Sequence, residues 1–91
     1  MDKWDRMEAA VALGNLGAER APALLAAFAT DPTLQADARV RAARALAEVE
    51  GHRARGIRLL AAFADDTRWG RWIRSSASAS LSGLGFARIR R

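Results

Sequence analysis

A nearly identical eight-residue segment occurs twice in this chain, and its spacing constrains the fold more than any other feature. Residues 24–31 read Leu-Leu-Ala-Ala-Phe-Ala-Thr-Asp, and residues 59–66 read Leu-Leu-Ala-Ala-Phe-Ala-Asp-Asp, an offset of 35 positions. Repetition with a period of roughly 20 to 50 residues is typical of arrays in which one supersecondary unit stacks on the next. We therefore predict a repeat array, an architecture that presents a surface and seldom encloses a reaction centre.

The composition favours helices throughout. Alanine is the commonest residue, tyrosine is absent, and only two prolines occur, so local propensity favours helix over strand. Glycine and proline mark the breaks, with Gly17 and Gly51 at C-cap positions and Pro22 in a first turn. The predicted helices span 3–16, 20–29, 36–49, 53–64 and 69–84, and a further one begins within 86–91. Because the connections are short, we expect successive helices to be antiparallel.

The first helices of the repeats share one set of positions when they are aligned with offsets of 33 and 35. The spacing within the set is three, three, one and three residues, which places its members on one helix face, and small residues there permit close packing. An arginine begins each set, and small residues and then leucine or valine follow. The aligned positions are Arg6, Arg39 and Arg74; Ala9, Ala42 and Ala77; Ala12, Ala45 and Ser80; Leu13, Leu46 and Leu81; and Leu16, Val49 and Leu84.

The segment from Ile73 to Gly85 resembles the Val-Arg-x-x-Ala-x-x-Ala-Leu-x-x-Leu-Gly core of HEAT-like repeats of the phycobilisome-lyase type. The resemblance implies an all-α fold, an α-solenoid of antiparallel helix pairs with about two and a half repeats in one domain over 1–91. The repeats are about 1–31, 32–66 and a partial 67–91, with Glu50 standing where Gly17 and Gly85 are found. The family includes scaffolds, regulatory arms, lyase subunits and some nucleic-acid enzymes, so the resemblance implies the fold and leaves the function open.

An aspartate precedes the repeat arginine by eight residues in two places, Asp31 before Arg39 and Asp66 before Arg74. We expect each carboxylate to pair with the arginine of the next repeat, forming an Asp–Arg ladder. We also expect the guanidinium to donate to unpaired carbonyl groups at the end of the preceding helix. Phosphate binding by these arginines is the alternative.

Positive charge is concentrated in the second half of the chain. Residues 1–38 contain six acidic and three basic residues, whereas residues 39–91 contain twelve basic and four acidic ones, which favours an anionic partner or simply solubility. Candidate partner-binding residues combine exposed arginines with an aromatic ring. For Trp69 and Trp72, however, the helical spacing favours packing over binding, with one of the two rings exposed. The candidates are Arg53, Arg55, Arg58, Arg68, Trp69 and Arg71.

Composition argues against several chemical functions. The chain has no cysteine and one histidine, His52, so a disulfide framework, a thiolate site and a histidine cluster are excluded, and no cofactor is predicted. The N-terminus is charged, and no run of about 18 apolar residues occurs, which favours a cytoplasmic protein.

We predict a non-enzymatic protein–protein interaction scaffold or spacer. The alternative is nucleic-acid or polyanion binding by the basic half, and incomplete array ends favour a fragment or self-association through Phe86 and Ile89.

Overall fold

The computed structural model describes residues 3–85, which form five α-helices and no strand. Each predicted helix is present, and its bounds differ from the prediction by at most two residues. The predicted start of a further helix in 86–91 lies outside the described residues. The helices are α1 (Lys3–Asn15), α2 (Ala21–Ala29), α3 (Ala36–Ala47), α4 (Arg53–Asp65) and α5 (Arg71–Gly83).

A glycine with left-handed backbone follows each of α1, α3 and α5. Gly17, Gly51 and Gly85 have φ angles of 75°, 86° and 81°, a conformation that costs glycine little because it has no Cβ. These glycines are 34 residues apart in both intervals. Gly51, one residue after Glu50, therefore takes the position of the glycine that the sequence pattern appeared to lack.

Consecutive helices pack against each other, and α3 additionally contacts both α1 and α5. α3 is accordingly the most buried helix, with Val40, Ala43 and Leu46 fully covered. The radius of gyration is 12.5 Å, close to the value of about 12 Å expected for a compact chain of this length. The principal extents are 41, 27 and 15 Å, so residues 3–85 form an elongated, flat all-helical body.

Small side chains permit close packing of the helices, and α3 and α4 come close together at Gly56. A Cβ atom on Gly56 would lie 2.4 Å from the backbone nitrogen of Ala47 and 2.5 Å from its Cα and Cβ atoms. Real Cβ atoms do not come that close to backbone, so this contact requires glycine. The largest fully buried side chains are Met7, Leu25, Leu46, Leu60 and Leu81.

Neither length nor hydropathy would allow any helix within residues 3–85 to cross a lipid bilayer.

Candidate interaction cleft between α2 and α4

An open cleft lies between the C-terminal halves of α2 and α4. Its volume is about 190 Å³, which is below the roughly 300 to 1,000 Å³ of small-molecule pockets. The floor is aromatic and cationic, and the rim is polar. The lining residues are Ala29, Thr30, Arg39, Leu59, Ala62, Phe63, Asp66, Arg68 and Trp69.

Arg39 forms the floor of this cleft and is held there by three contacts. Its Nε donates a hydrogen bond of 3.0 Å to the carbonyl oxygen of Ala29, the last residue of α2. Its guanidinium carbon lies 5.2 Å from the ring centre of Phe63 and 5.6 Å from that of Trp69, within cation–π range. The prediction that this guanidinium binds an unpaired carbonyl at a helix end is confirmed for Arg39.

Trp69 also packs directly on Phe63. The two ring centres are 5.3 Å apart with an angle of 40° between planes, a favourable tilted arrangement. Trp72, three residues later, is 88% exposed. The structure thus confirms the expectation of one packed and one exposed tryptophan, and it places Trp69 beside Arg39, a neighbour that sequence reasoning did not assign to it.

Asp66 and Arg68 form an ion pair on the rim. Nη2 of Arg68 lies 2.7 Å from Oδ2 of Asp66, and the backbone N–H of Arg68 donates to Oδ1 at 2.9 Å. These hydrogen bonds, the side-chain one first, lower the pKa of Asp66 to about 2 and raise the pKa of Arg68. Arg68 is therefore already paired within the chain.

The predicted Asp–Arg ladder does not form. Oδ1 of Asp31 accepts the backbone N–H of Thr33 at 2.8 Å and its hydroxyl at 2.6 Å, and the Asp31 carboxylate lies 3.5 Å from Nζ of Lys3. Asp66 binds Arg68 in the same manner. An aspartate readily binds the N–H two residues ahead in an Asx turn, and this short loop closes with less entropy loss than one of eight residues. Arg74 is exposed.

An ion pair between repeats occurs instead at Glu8 and Arg41. Nη2 of Arg41 donates to Oε1 of Glu8 at 2.8 Å, and Nε of Arg41 donates to Oε2. This two-pronged pair lowers the pKa of Glu8 and raises the pKa of Arg41. Glu8 and Arg41 are 33 residues apart, the offset that aligns α1 with α3. This offset marks them as equivalent positions, but it does not by itself show that their side chains meet.

The remaining basic candidates do not form one surface. Arg53 donates to the carbonyl oxygen of Leu84 at the C-terminal end of α5, where positive charge is favourable. At its own position, the first turn of α4, the charge of Arg53 opposes the helix dipole, and the contact with α5 offsets this. The contact also brings the N-terminal half of α4, which carries exposed Arg55 and Arg58, to the end of α5 opposite Arg71.

Arg71 and Arg74 border a second open cleft, beside Ala64 at the C-terminal end of α4. The structure therefore brings four of the sequence candidates together around the first cleft and distributes the rest. The four are Arg39, Asp66, Arg68 and Trp69.

The α2–α4 cleft is lined by the N–H donors of two guanidinium groups, Arg39 and Arg68, and by the rings of Phe63 and Trp69. The Thr30 hydroxyl donates to the carbonyl oxygen of Ala26 at 2.9 Å, so it is already used within the chain.

In the part of the chain that is described, no group of three histidine, cysteine or acidic side chains is arranged to hold a metal ion.

Comparison of the chain with protein-family models, with curated proteins and with solved structures gives no match.

Proposed function

We propose that this chain is a HEAT-like α-solenoid module without catalytic activity, which binds a protein partner through the cleft between α2 and α4. α1, α3 and α5 are the first helices of three stacked repeats, and α2 and α4 are second helices. The observation that carries the proposed function is the Arg39 guanidinium, which is held in the cleft and, within residues 3–85, uses one of its five N–H donors.

Recurrence of local structure supports the stacked arrangement. The Asx turns at Asp31 and Asp66 are 35 residues apart, and in each the N–H three residues ahead donates to the aspartate carbonyl at 3.1 Å. α3 contacts α1 on one side and α5 on the other, as expected for a middle layer. Glu8 and Arg41, at equivalent positions, are in direct contact, as expected for adjacent layers.

The geometry of Arg39 supports recognition of a polypeptide. A guanidinium has five N–H donors, and within residues 3–85 Arg39 uses one of them, towards Ala29. The contacts with Phe63 and Trp69 hold the group in place before binding, which reduces the entropy that a partner must overcome. A carboxylate or backbone carbonyl of the partner accepts the remaining donors, and an adjacent apolar side chain packs on Leu59 and Trp69.

Site-specific photo-crosslinking in cells tests this proposal. A photoreactive amino acid at exposed Ala62, on the cleft rim, is expected to capture a defined protein, whereas the same probe at exposed Ala54, on the other end of α4, is not. Arg39→Lys keeps the charge and removes the planar fork, so it should abolish the Ala62 crosslink. Arg74→Lys is the matched control. An Ala62 crosslink that persists in Arg39→Lys, in a variant with unchanged helicity, contradicts the proposal.

Polyanion binding remains the second candidate function, because Arg55, Arg58, Arg71 and Arg74 are exposed and have no ion-pair partner within residues 3–85. Fluorescence anisotropy of a labelled single-stranded oligonucleotide measures it. Binding that neutralises Z phosphates gives a slope of about −0.7Z in a plot of log affinity against log salt.

The two arginine pairs lie at opposite ends of the α4–α5 hairpin, so they can be removed separately. A large slope that Arg55→Ala/Arg58→Ala reduces by about 1.4, the value for two lost phosphate contacts, with no reduction in Arg71→Ala/Arg74→Ala, would favour polyanion binding at that end of α4. The cleft proposal predicts only weak binding at physiological salt for all three proteins.

A further inference from the structure

We infer that the cleft between the C-terminal end of α4 and the N-terminal half of α5 binds the phosphate group of a phosphomonoester. This α4–α5 cleft is lined by Ala64 of α4 and by Arg71, Arg74, Ser75 and Ser78 of α5. The inference does not depend on the α2–α4 cleft. It assigns a ligand of its own to one of the two arginine pairs that polyanion binding would use.

The residues that line the α4–α5 cleft carry two positive charges and no negative charge. The charged residues are Arg71 and Arg74, whereas the α2–α4 cleft has an acidic residue, Asp66, beside its two arginines. Within residues 3–85, neither Arg71 nor Arg74 takes part in an ion pair. A charge of +2 complements a phosphomonoester such as phosphoserine, which carries about −1.5 to −2 at pH 7.

Helical spacing places the four α5 residues of this cleft on one face. Positions 71, 74, 75 and 78 are separated by three, one and three residues, so they form a continuous stripe along two turns of the helix, and all four residues are exposed. Each guanidinium has five N–H donors and no acceptor, and each serine hydroxyl can also donate. Because a helical serine hydroxyl also bonds to the carbonyl of its own preceding turn, the arginines contribute most of the affinity.

The same helix face is apolar and buried in α1 and α3. The positions equivalent to Ser75 are Met7 and Val40, which are 0% and 2% exposed. In the same way, Ser78 is exposed where Ala43 of α3 is completely buried. α5 thus departs from the packing pattern of the repeat at two residues that line the cleft, and the cleft is polar for this reason.

Arg74 is the repeat equivalent of Arg39, and Ala64 is the equivalent of Ala29. In the α2–α4 cleft, Nε of Arg39 donates to the carbonyl oxygen of Ala29 at 3.0 Å, and the residue is half-buried. Arg74 lines a cleft together with Ala64 but is exposed. The same repeat position therefore holds a guanidinium that is fixed within the chain in one layer and is accessible to a ligand in the next.

The N-terminal end of α5 increases the attraction for an anion. Arg71 is the first residue of the helix, Gly70 provides no side-chain cap, and no acidic residue lies in the first turn. The helix dipole adds partial positive charge at this end, so the charge of Arg71 is unfavourable there in the absence of an anion. A bound phosphate offsets this repulsion, and it should therefore also raise Tm.

The size of the cleft leaves room for more than a phosphate group. Its volume is about 390 Å³, within the roughly 300 to 1,000 Å³ of small-molecule pockets. Trp72 is 88% exposed and lies beside the stripe, three residues before Ser75, where its ring can contact the organic part of a ligand. A free phosphomonoester and a phosphorylated side chain of a polypeptide share this chemistry.

A titration of the ¹⁵N-labelled chain with N-acetyl-phosphoserine amide, followed by NMR at constant ionic strength, tests the inference. We expect saturable shifts of the backbone amides of residues 71–78 with a Kd in the millimolar range, about 1–10 mM. Arg71→Ala/Arg74→Ala should weaken binding about tenfold or more. Arg55→Ala/Arg58→Ala is the matched control, because it removes the same charge from exposed positions on α4, and it should weaken binding less than about twofold.

Two results of this titration would overturn the inference. One is a wild-type chain without saturable shifts, and the other is equal weakening by the two double variants, which would reveal only general attraction by the net charge. Circular dichroism should show unchanged helicity in both variants, since alanine favours helix at exposed positions. Arg71→Lys/Arg74→Lys, which keeps the charge and removes the planar forks, should bind with intermediate affinity.

The class of ligand is tested by anions with a single charge. Dimethyl phosphate represents the phosphodiester of an oligonucleotide, and N-acetyl-glutamate amide represents a carboxylate. Both should bind at least about fivefold more weakly than the phosphomonoester, because each offers half of its charge. Equal binding of either would refute a phosphomonoester site.

The source of the phosphate is identified by a peptide with the same phosphoserine between flexible glycine residues. An affinity equal to that of the blocked amino acid supports the site with a free phosphomonoester as ligand, and an affinity at least about tenfold higher supports it with a phosphorylated polypeptide. This site and the α2–α4 cleft are separable, because Arg39→Lys should leave the phosphate titration unchanged and Arg71→Ala/Arg74→Ala should leave the Ala62 crosslink intact.

Discussion

Replacement of Gly56 by alanine tests the close contact between α3 and α4. The new Cβ atom would lie 2.4 Å from the backbone nitrogen of Ala47 and 2.5 Å from its Cα, about 1 Å closer than an ordinary contact of 3.4 Å. Overpacking costs about 1–3 kcal/mol, and alanine recovers about 0.5–1 kcal/mol through its higher helix propensity. Because backbone atoms cannot rotate away, we expect the high end of this range, a net loss of about 2 kcal/mol.

This loss is large for a domain of this size, whose total stability is about 5–13 kcal/mol. It corresponds to a decrease in Tm of about 8–16 °C. Circular dichroism during heating measures Tm, and urea unfolding with an unchanged m-value would show that the native state alone is affected. Gly14→Ala is the matched control, since its Cβ would meet side chains at ordinary contact distances, Leu25 and Val49 at 3.4 Å and Ala21 at 3.8 Å. This variant should gain about 0.5–1 kcal/mol.

A double variant shows whether the contact involves backbone or only side chains. Ala47→Gly removes one of the three atoms that the new Cβ would meet and leaves the nitrogen and Cα in place. We therefore expect Ala47→Gly/Gly56→Ala to remain less stable than Ala47→Gly alone. Equal stability of these two variants, or a Gly56→Ala protein as stable as wild type, would refute the close approach of α3 and α4.

Three further predictions concern charged contacts. Arg53→Ala should lower the free energy of unfolding by about 0.3–1 kcal/mol, because it removes the cation at the C-terminal end of α5, whereas Arg55→Ala on the same helix should have no measurable effect in urea unfolding. The folded-state pKa values of Glu8 and Asp66 lie below their ordinary values of 4.5 and 3.8. The stability that each carboxylate contributes is therefore complete above its ordinary pKa and is lost as the pH falls through its folded-state pKa, which is about 2 for Asp66. Tm should accordingly decrease on acidification from about pH 5 to pH 2. Glu8→Gln should lower Tm at pH 7 and reduce this acid dependence, and a variant with the full wild-type dependence would contradict the assignment of the Glu8 contact.

Helix positions were predictable from the sequence because period, capping residues and propensity all favour the same segments. The repeat of Leu24–Asp31 at 59–66 and the shared set of positions also identified the buried faces of α3 and α5, where Leu46 and Leu81 are completely covered. The same positions on α1 are exposed. Periodicity identifies a face that is suited to packing, but it does not determine whether another element covers that face.

Side-chain pairing was less predictable. The proposed Asp31–Arg39 pair relied on conserved spacing within the chain, yet the Asx turn at Asp31 forms between residues two positions apart and competes successfully for the carboxylate. The Glu8–Arg41 pair depends on the register of α1 against α3, which the individual helix patterns do not contain. The cleft was missed for the same reason, because Arg39 and Trp69 belong to different repeats and meet only after α3 and α4 pack.

The order of the helices is the central element of this account, and a distance between spin labels on α1 and α5 tests it most directly. Arg6→Cys and Arg74→Cys label equivalent, exposed positions, and dilution with unlabelled protein suppresses signals between copies. Packed helices are about 8–10 Å apart, so a stacked row with α3 between α1 and α5 predicts about 16–20 Å between the two helix axes. A spacing of about 10 Å, with α1 packed directly on α5 in a closed bundle, would contradict the account.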